Sequence, residues 1–319
     1  MKGISMLKLL LITGFCMMVE LLGAQQKRPD FFGHELSFKT ENDAFLFQKK
    51  DAYYTNGFFF KLTTAPKGVG NKITRSYELG QMIYTPVIRK TTGPEDIDRP
   101  YCGYLFIKYN QAQFLKNKGV LEYSASLGLV GGNSFGEDVQ NWYHKQLRYA
   151  PFEGWKYQVQ NAVGIDLGMS YARTVLEDSS WIKWVPVVRM NLGTNFTNAN
   201  LGAYLCVGSF ENNENSALWN SLVQNKITQT KRNYELFAYW YPQLIFQGYN
   251  ATVEGGLFSK GNGAALGKTE AWMIQQNWGL CYAEGRWTTK IELVYQSREA
   301  VAQKNPQRFG SVQLSYRFH

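Results

Sequence analysis

Apolar and polar residues alternate with period two along most of this chain. Leu121, Tyr123, Ala125, Leu127 and Leu129 interleave with Glu122, Ser124, Ser126 and Gly128. Ile165, Leu167, Met169 and Tyr171 interleave with Asp166, Gly168, Ser170 and Ala172. Val312, Leu314, Tyr316 and Phe318 do so with Ser311, Gln313, Ser315 and Arg317, one residue short of the C-terminus. Strand side chains point alternately to opposite faces, so this pattern predicts strands with one apolar and one polar face. Twelve are expected, beginning near His34, Asn56, Ser76, Gly103, Leu121, Ala162, Ile182, Leu201, Tyr234, Ala271, Thr288 and Ser311. Polar breaks at Pro66 to Asn71, Glu211 to Lys231, Lys260 to Lys268 and Glu299 to Arg308 separate some of them. Pro242 interrupts one strand-like run and is expected at a bulge, a strand end or a turn.

The stretch from Gly131 to Asn161 loses the alternation. Its first part, Gly136 to Arg148, reads as a polar helix that sets Gln140 and His144 on one face at i, i+4. A second polar amphipathic piece follows around Trp155 to Gln160.

Hydropathy decides what the apolar faces meet. Mean hydropathy is −0.33. Beyond the N-terminal leader no apolar stretch reaches the roughly 20 residues that a membrane-spanning helix needs. A transmembrane barrel reconciles the polarity with the strands, because only its outward residues must be apolar. A secreted β-sandwich would show the same alternation with the apolar face turned to a core. Aromatics make up 15% of the chain, with 20 Tyr and 9 Trp, enough for girdles at both membrane interfaces. Tyr239, Trp240, Tyr241, Trp278 and Tyr282 are expected among them. An even strand number suits a single-chain bacterial barrel. The expected fold is all-β: a twelve-stranded antiparallel transmembrane β-barrel over residues 25–319, with one short helical insertion.

The N-terminus reads as an export signal over residues 1–24: Lys2 and Lys8, then an apolar run from Leu9 to Val19, then Leu22, Gly23 and Ala24 as a cleavage site. Net charge is +9, and +8 once Lys2, Lys8 and Glu20 leave with the leader. Lys and Arg are scattered without a run suited to nucleic acid, and match an anionic lipid or phosphorylated glycolipid equally well. Cys102, Cys206 and Cys281 have neither metal-site nor disulfide-framework spacing and are expected as strand residues.

Candidate chemistry gathers around one residue. His144 is one of three histidines and the only one in the helical stretch. A histidine titrates near neutrality and is the default general base. Two polar clusters flank the first hairpin, Thr40 to Phe45 and Asp51 to Gly57. Their Asp and Asn oxygens are hard ligands of the kind calcium takes, and also ordinary turn chemistry. A third, Tyr84 to Lys90 with Asp98 to Gly103, could offer a cation to an oxyanion or a phosphate.

Together these pieces carry a resemblance. Glu41-Asn42-Asp43, Tyr54-Thr55-Asn56-Gly57, Tyr84-Thr85-Pro86, Arg99-Pro100-Tyr101-Cys102-Gly103, Val139-Gln140-Asn141 through His144, and Gly154-Trp155 resemble the LpxR-type outer-membrane lipid A 3′-O-deacylases. The resemblance runs from about residue 34 to the C-terminus, the later half in strand pattern alone. It implies a monomeric twelve-stranded outer-membrane barrel that removes an ester-linked acyloxyacyl chain from the lipid A of lipopolysaccharide, using calcium. The implied chemistry looks like that of secreted phospholipase A2, with a histidine activating water and a metal stabilising the oxyanion. By the resemblance His144 is the general base and Asp43 a calcium ligand, with Asn42 and Thr55 in the same site. Gln140 positions groups on the helix face, and Lys90 or Arg89 meets the oxyanion or a substrate phosphate. Ala150 stands where relatives can carry a carboxylate, and Glu153 is the nearest downstream acid.

Three other barrels fit less well. A passive porin has no need of the Asn42, Asp43, Thr55, Gln140 and His144 set. A serine-dependent outer-membrane phospholipase would need a His-x-Ser arrangement, which is absent from the sequence. An omptin-like protease would need more acids near His144 than this chain offers. The non-catalytic barrel is the runner-up to the deacylase.

Overall fold

A computed structural model of the protein describes residues 31–46, 52–67, 71–88, 90–91, 93–147, 150, 152–178, 181–225, 232–259 and 264–319. The leader expected over residues 1–24 and the side chain of Arg89 lie outside the described residues.

Twelve antiparallel strands form the wall: β1 His34–Asn42, β2 Tyr53–Thr64, β3 Ile73–Thr85, β4 Cys102–Phe114, β5 Gly119–Val130, β6 Ala162–Arg173, β7 Ile182–Gly193, β8 Phe196–Ser209, β9 Tyr234–Asn250, β10 Trp272–Glu284, β11 Trp287–Gln296 and β12 Gln307–Phe318. Each pairs with its sequence neighbours. The barrel closes where β1 meets β12, from His34↔Phe318 to Asn42↔Gly310. A three-residue strand, Leu176–Asp178, extends β7 below its ladder with β6. The expected strand starts hold to within a few residues. The largest offset is at β8, which begins at Phe196 because the polar run Thr197 to Asn200 also pairs with β9.

The apolar face is the exposed one. Leu36, Phe60, Tyr77, Leu79, Ile107, Ile165, Leu167 and Leu201 all stand outward, while Glu35, Ser37, Lys183 and Arg317 are buried within. That inversion excludes the sandwich and is what a lipid-facing wall requires. Inside, Arg317 pairs with Glu35 at 3.1 Å near the end where β1 begins and β12 finishes, here called the lower rim. The upper rim is the Asn42 end.

Two expectations need adjustment. Tyr239 and Tyr241 are buried on the lumen side, so only Trp240 of that trio faces out, opposite Trp278 on β10. The alternation itself forbids three consecutive residues from sharing a face. Pro242 lies within β9 and makes no bulge there: the ladder to β8 lapses at Tyr241 and Pro242 and resumes in register at Gln243↔Gly202. Gly202 makes room for it, since a Cβ there would lie 2.8 Å from the Pro242 carbonyl oxygen. The irregularity in this ladder falls instead between Gln247 and Tyr249. The three cysteines are free, buried strand residues, as expected.

The lower mouth is occupied by the segment after β8. Glu235 accepts from the Glu211 amide (2.8 Å), the Ser216 hydroxyl (2.8 Å) and the Ala217 amide (2.6 Å). Trp219 packs with Phe114, Val120, Val185, Val187 and Tyr241. Toward the upper end the lumen holds a cavity of about 540 Å³, lined by Glu41, Tyr54, Tyr84, Lys108, Asp166 and Glu299 among others.

Candidate active site

The site lies on the outer side of the wall, at the upper rim. Asn42 ends β1 on the same face as Leu36 and Phe38, and stands directly opposite Asn56 of β2. On the β3 side Tyr54 pairs with Tyr84 and Asn56 with Ile83, so Thr55 is an extra residue, a β-bulge. A bulge breaks alternation and re-aims a side chain. Tyr54 keeps to the lumen, its hydroxyl on Glu41 at 2.5 Å, while Thr55 and Asn56 both reach the helix outside.

That helix, α1, spans Gly136–Leu147. It is docked on the wall by two glycines. A Cβ on Gly103 would lie 2.8 Å from the Gly136 Cα, and a Cβ on Gly136 2.7 Å from the Gly103 Cα, so neither position accepts a side chain without moving the other. Gln81, outward-facing on β3, donates to the Ser134 carbonyl just before the helix at 2.6 Å. Phe135 takes a left-handed φ of 58° between them. Behind the helix Ile83, Tyr101, Phe152 and Trp155 form a small apolar cluster with Val139. Burial pushes the Tyr101 hydroxyl up, so it stays neutral beside the Thr91 hydroxyl, 3.3 Å away.

Within this frame one chain of hydrogen bonds joins both strands to the helix. The Ala44 amide donates to Asn42 Oδ1 at 2.7 Å. Asn42 Nδ2 donates to Asn56 Oδ1. Asn56 Nδ2 donates to Gln140 Oε1 at 2.7 Å. Gln140 Nε2 lies 2.9 Å from His144 Nε2, and His144 Nδ1 lies 2.9 Å from the Ala150 carbonyl oxygen. A carbonyl only accepts, so Nδ1 carries the proton and Nε2 is bare, receiving the Gln140 N–H. Asn42, Thr55, Asn56, Gln140 and His144 are all buried, and the His144 ring packs on Phe152 at 5.4 Å between centroids.

The structure therefore brings together Asn42, Thr55, Gln140 and His144. Asp43 sits beside them, buried at the start of a 3₁₀ turn Asp43–Leu46, with the Ala52 amide on Oδ2 at 3.1 Å. Lys90 is exposed and makes no hydrogen bond to these side chains among the described residues. Arg99, from the third cluster, faces the lumen side instead: fully buried, it pairs with Glu299 at 2.6 Å and stacks over Tyr84 at 3.8 Å. Two contributors were given no individual role by the sequence. Asn56 lay inside an Asn-Gly pair that resembles a turn, and the Ala150 carbonyl is main chain, which side-chain patterns do not reveal.

The donor set suits a hard cation. Among the described residues no group of three or more His, Cys, Asp or Glu side chains is placed to hold a metal ion, so a cation here would rely on amide and main-chain oxygens beside Asp43. The oxygens at hand are the Asp43 carboxylate, the Asn42 amide carbonyl with one lone pair beyond its Ala44 bond, and the backbone, donors of the kind that a hard cation takes.

A family model described as "Outer membrane protein LpxR" matches residues 9–318. No curated protein sequence matches the chain. Among solved structures, LpxR from Salmonella typhimurium superposes with a TM-score of 0.74 at 17% identity, covering 89% of this chain and 100% of that one. The β domain of the Bordetella autotransporter BrkA reaches 0.45 at 8% identity, covering 90% of this chain and 98% of that one. The translocator domain of the autotransporter NalP from Neisseria meningitidis reaches 0.42 at 11%, covering 96% and 95%.

Proposed function

This chain belongs to the LpxR family of outer-membrane proteins, and on that premise we propose that it is a calcium-dependent lipid A 3′-O-deacylase. It removes an ester-linked acyloxyacyl chain from lipopolysaccharide in the bacterial outer membrane. The observation that carries this reading is His144 on the outer side of a barrel rim, with Gln140 Nε2 at 2.9 Å from its Nε2 and the Ala150 carbonyl oxygen at 2.9 Å from its Nδ1, an arrangement that fits the Nδ1–H tautomer.

Bacterial barrels keep short turns toward the periplasm and long connections outside, which puts the upper rim, with its long segments 86–101 and 131–161, at the cell surface. There the acyl chains of a glycolipid remain in the leaflet against the exposed apolar wall, and its ester reaches the polar seam between β1, β2 and α1. His144 Nε2 takes a proton from water, which attacks the ester carbonyl in place of a serine. The tetrahedral intermediate then breaks its ester C–O bond, the lipid A 3′-oxygen leaves with the proton returned by His144, and the acyl chain departs as a free acid. In the resting site the Gln140 N–H occupies the position that a hydrogen of this water takes in the reaction. Asp43, with Asn42, would hold calcium, whose Lewis acidity supplies charge stabilisation to the oxyanion. Lys90 and Arg89 supply positive charge toward the oxyanion or the glycolipid phosphates. The protein is exported by cleavage of residues 1–24. It works as a monomer, since the closed ladder leaves no strand edge to pair.

Mass spectrometry of lipid A from cells with and without the chain tests the reading. The chain is expected to remove one acyloxyacyl unit, and His144→Ala to leave lipid A intact while still running as a heat-modifiable barrel. Unchanged lipid A with the native chain would overturn the deacylase, and full activity in His144→Ala would remove the general base.

A further inference from the structure

We propose that Asn56 is a positioning residue that sets the protonation of His144 from two links away. The proposal rests on the deacylase reading for its effect on turnover, but not for the hydrogen-bond logic. A glutamine amide has two ends of nearly equal shape, and only one of them leaves a histidine basic. With its N–H₂ toward Nε2, Gln140 requires a bare nitrogen there; with its carbonyl toward Nε2, it requires a protonated one.

Gln140 is fully buried, so bulk water does not choose between these orientations. The choice falls to what holds the other end. Gln140 Oε1 has Asn56 Nδ2 at 2.7 Å and Thr55 Oγ1 at 3.4 Å, and the single Thr55 hydroxyl proton is contested by the Ile83 carbonyl at 3.3 Å. Asn56 is therefore the stronger holder. Its own orientation is set by Asn42 Nδ2 on Oδ1, and that of Asn42 by the Ala44 amide.

The direction of the whole chain comes from two main-chain groups that have no alternative role. The Ala44 N–H can only donate, and the Ala150 carbonyl can only accept. Between them every amide must point one way: Asn42 to Asn56 to Gln140 to His144. A backbone carbonyl thus helps to orient the ring, accepting from Nδ1 at 2.9 Å.

Asn56→Asp tests this with almost no change of shape. A carboxylate cannot donate to Gln140 Oε1, so the Gln140 amide turns over, its carbonyl meets Nε2, and Nε2 takes up a proton. Two readouts are needed, both on the full-length protein in detergent. Histidine ¹⁵N spectra, with His144→Gln identifying the His144 signals, should show Nε2 unprotonated in the native chain and protonated in Asn56→Asp. Lipid A turnover should fall about 10²–10⁴-fold in kcat, the scale of losing a general base, with KM little changed. Asn56→Ala, which removes the donor without adding an acceptor, should give a smaller loss in kcat. A protonated Nε2 in the native chain would overturn the proposal whether or not the variants fold. So would an Asn56→Asp protein with native turnover, or one whose turnover falls while Nε2 stays bare. Because the ring-nitrogen signals do not depend on the substrate, a native chain inactive on lipid A would count against the deacylase reading and leave this inference to be judged on the spectra.

Discussion

At the scale of single residues, the site is read from side chains but completed by main chain. His144, Gln140, Thr55 and Asn42 could be picked out because imidazole, amide and hydroxyl groups advertise their chemistry in a sequence. Asn56 was hidden by its neighbour: Asn-Gly favours turns, and here the pair sits inside β2. The Ala150 carbonyl has no signature at all, because every residue has one. Ala150 occupies the place where the resemblance allows a carboxylate, and the structure shows how the ring is oriented without it. Asp43 is the residue proposed to hold calcium. If it holds calcium, Asp43→Ala should lower deacylation about as far as excess chelator does, and chelator should have no further effect on that variant. Mass spectrometry of lipid A from purified outer membranes, with and without chelator, reads both. Full activity of the native protein in excess chelator would remove the metal from the scheme.

At the scale of elements, the strands were legible because lipid outside and water inside enforce period two along most of the wall. The helix was legible because it breaks that period. What could not be read was how the helix is held. One device is the bulge at Thr55, which turns two consecutive side chains of β2 to the same side. The other is the contact of Gly103 with Gly136, which brings the start of α1 against β4 with no side chain between. Neither leaves a mark in hydrophobic pattern, since a glycine in a strand carries no periodicity. Pro242 shows the converse: a strong breaker signal was absorbed by a strand whose partner offers Gly202. The glycine contact makes a prediction of its own. Gly103→Val must push α1 outward, and displacing a catalytic group by about 1 Å can cost roughly 10²-fold in rate. Turnover should fall by that order, while the heat-modifiable shift of the barrel is retained because the strand itself favours a β-branched residue. Native turnover in Gly103→Val would mean that the helix is positioned by the Tyr101, Phe152 and Trp155 cluster alone.

At the scale of the whole molecule, the candidate site and the lumen occupy opposite faces of the same wall. Asn42, Asn56 and His144 sit outside it, whereas Glu41, Tyr54 and Arg99 face inward. A barrel with its proposed site on the outer face needs no through-channel, and the lower mouth is filled by the segment after β8. Lys72, from the β2–β3 connection, donates to the Glu214 and Ser221 carbonyls at 2.5 and 2.6 Å. Lys183 donates to the Glu211 carbonyl at 2.5 Å, and Asn220 accepts from Lys290 at 3.0 Å and Gln313 at 3.2 Å. The segment is thus tied to β7, β11, β12 and a neighbouring turn, in addition to the Glu235 anchor on β9. Such a plug, satisfied by buried hydrogen bonds from several strands, costs too much to displace thermally as a unit. In a planar lipid bilayer the purified protein should therefore show no stable ohmic conductance at either polarity, even though charged groups such as Lys61, Lys108, Glu78 and Glu122 line its lumen. Steady porin-like steps from the native chain would mean that the plug leaves the mouth readily, and would return a solute-channel role to consideration beside catalysis on the outer face.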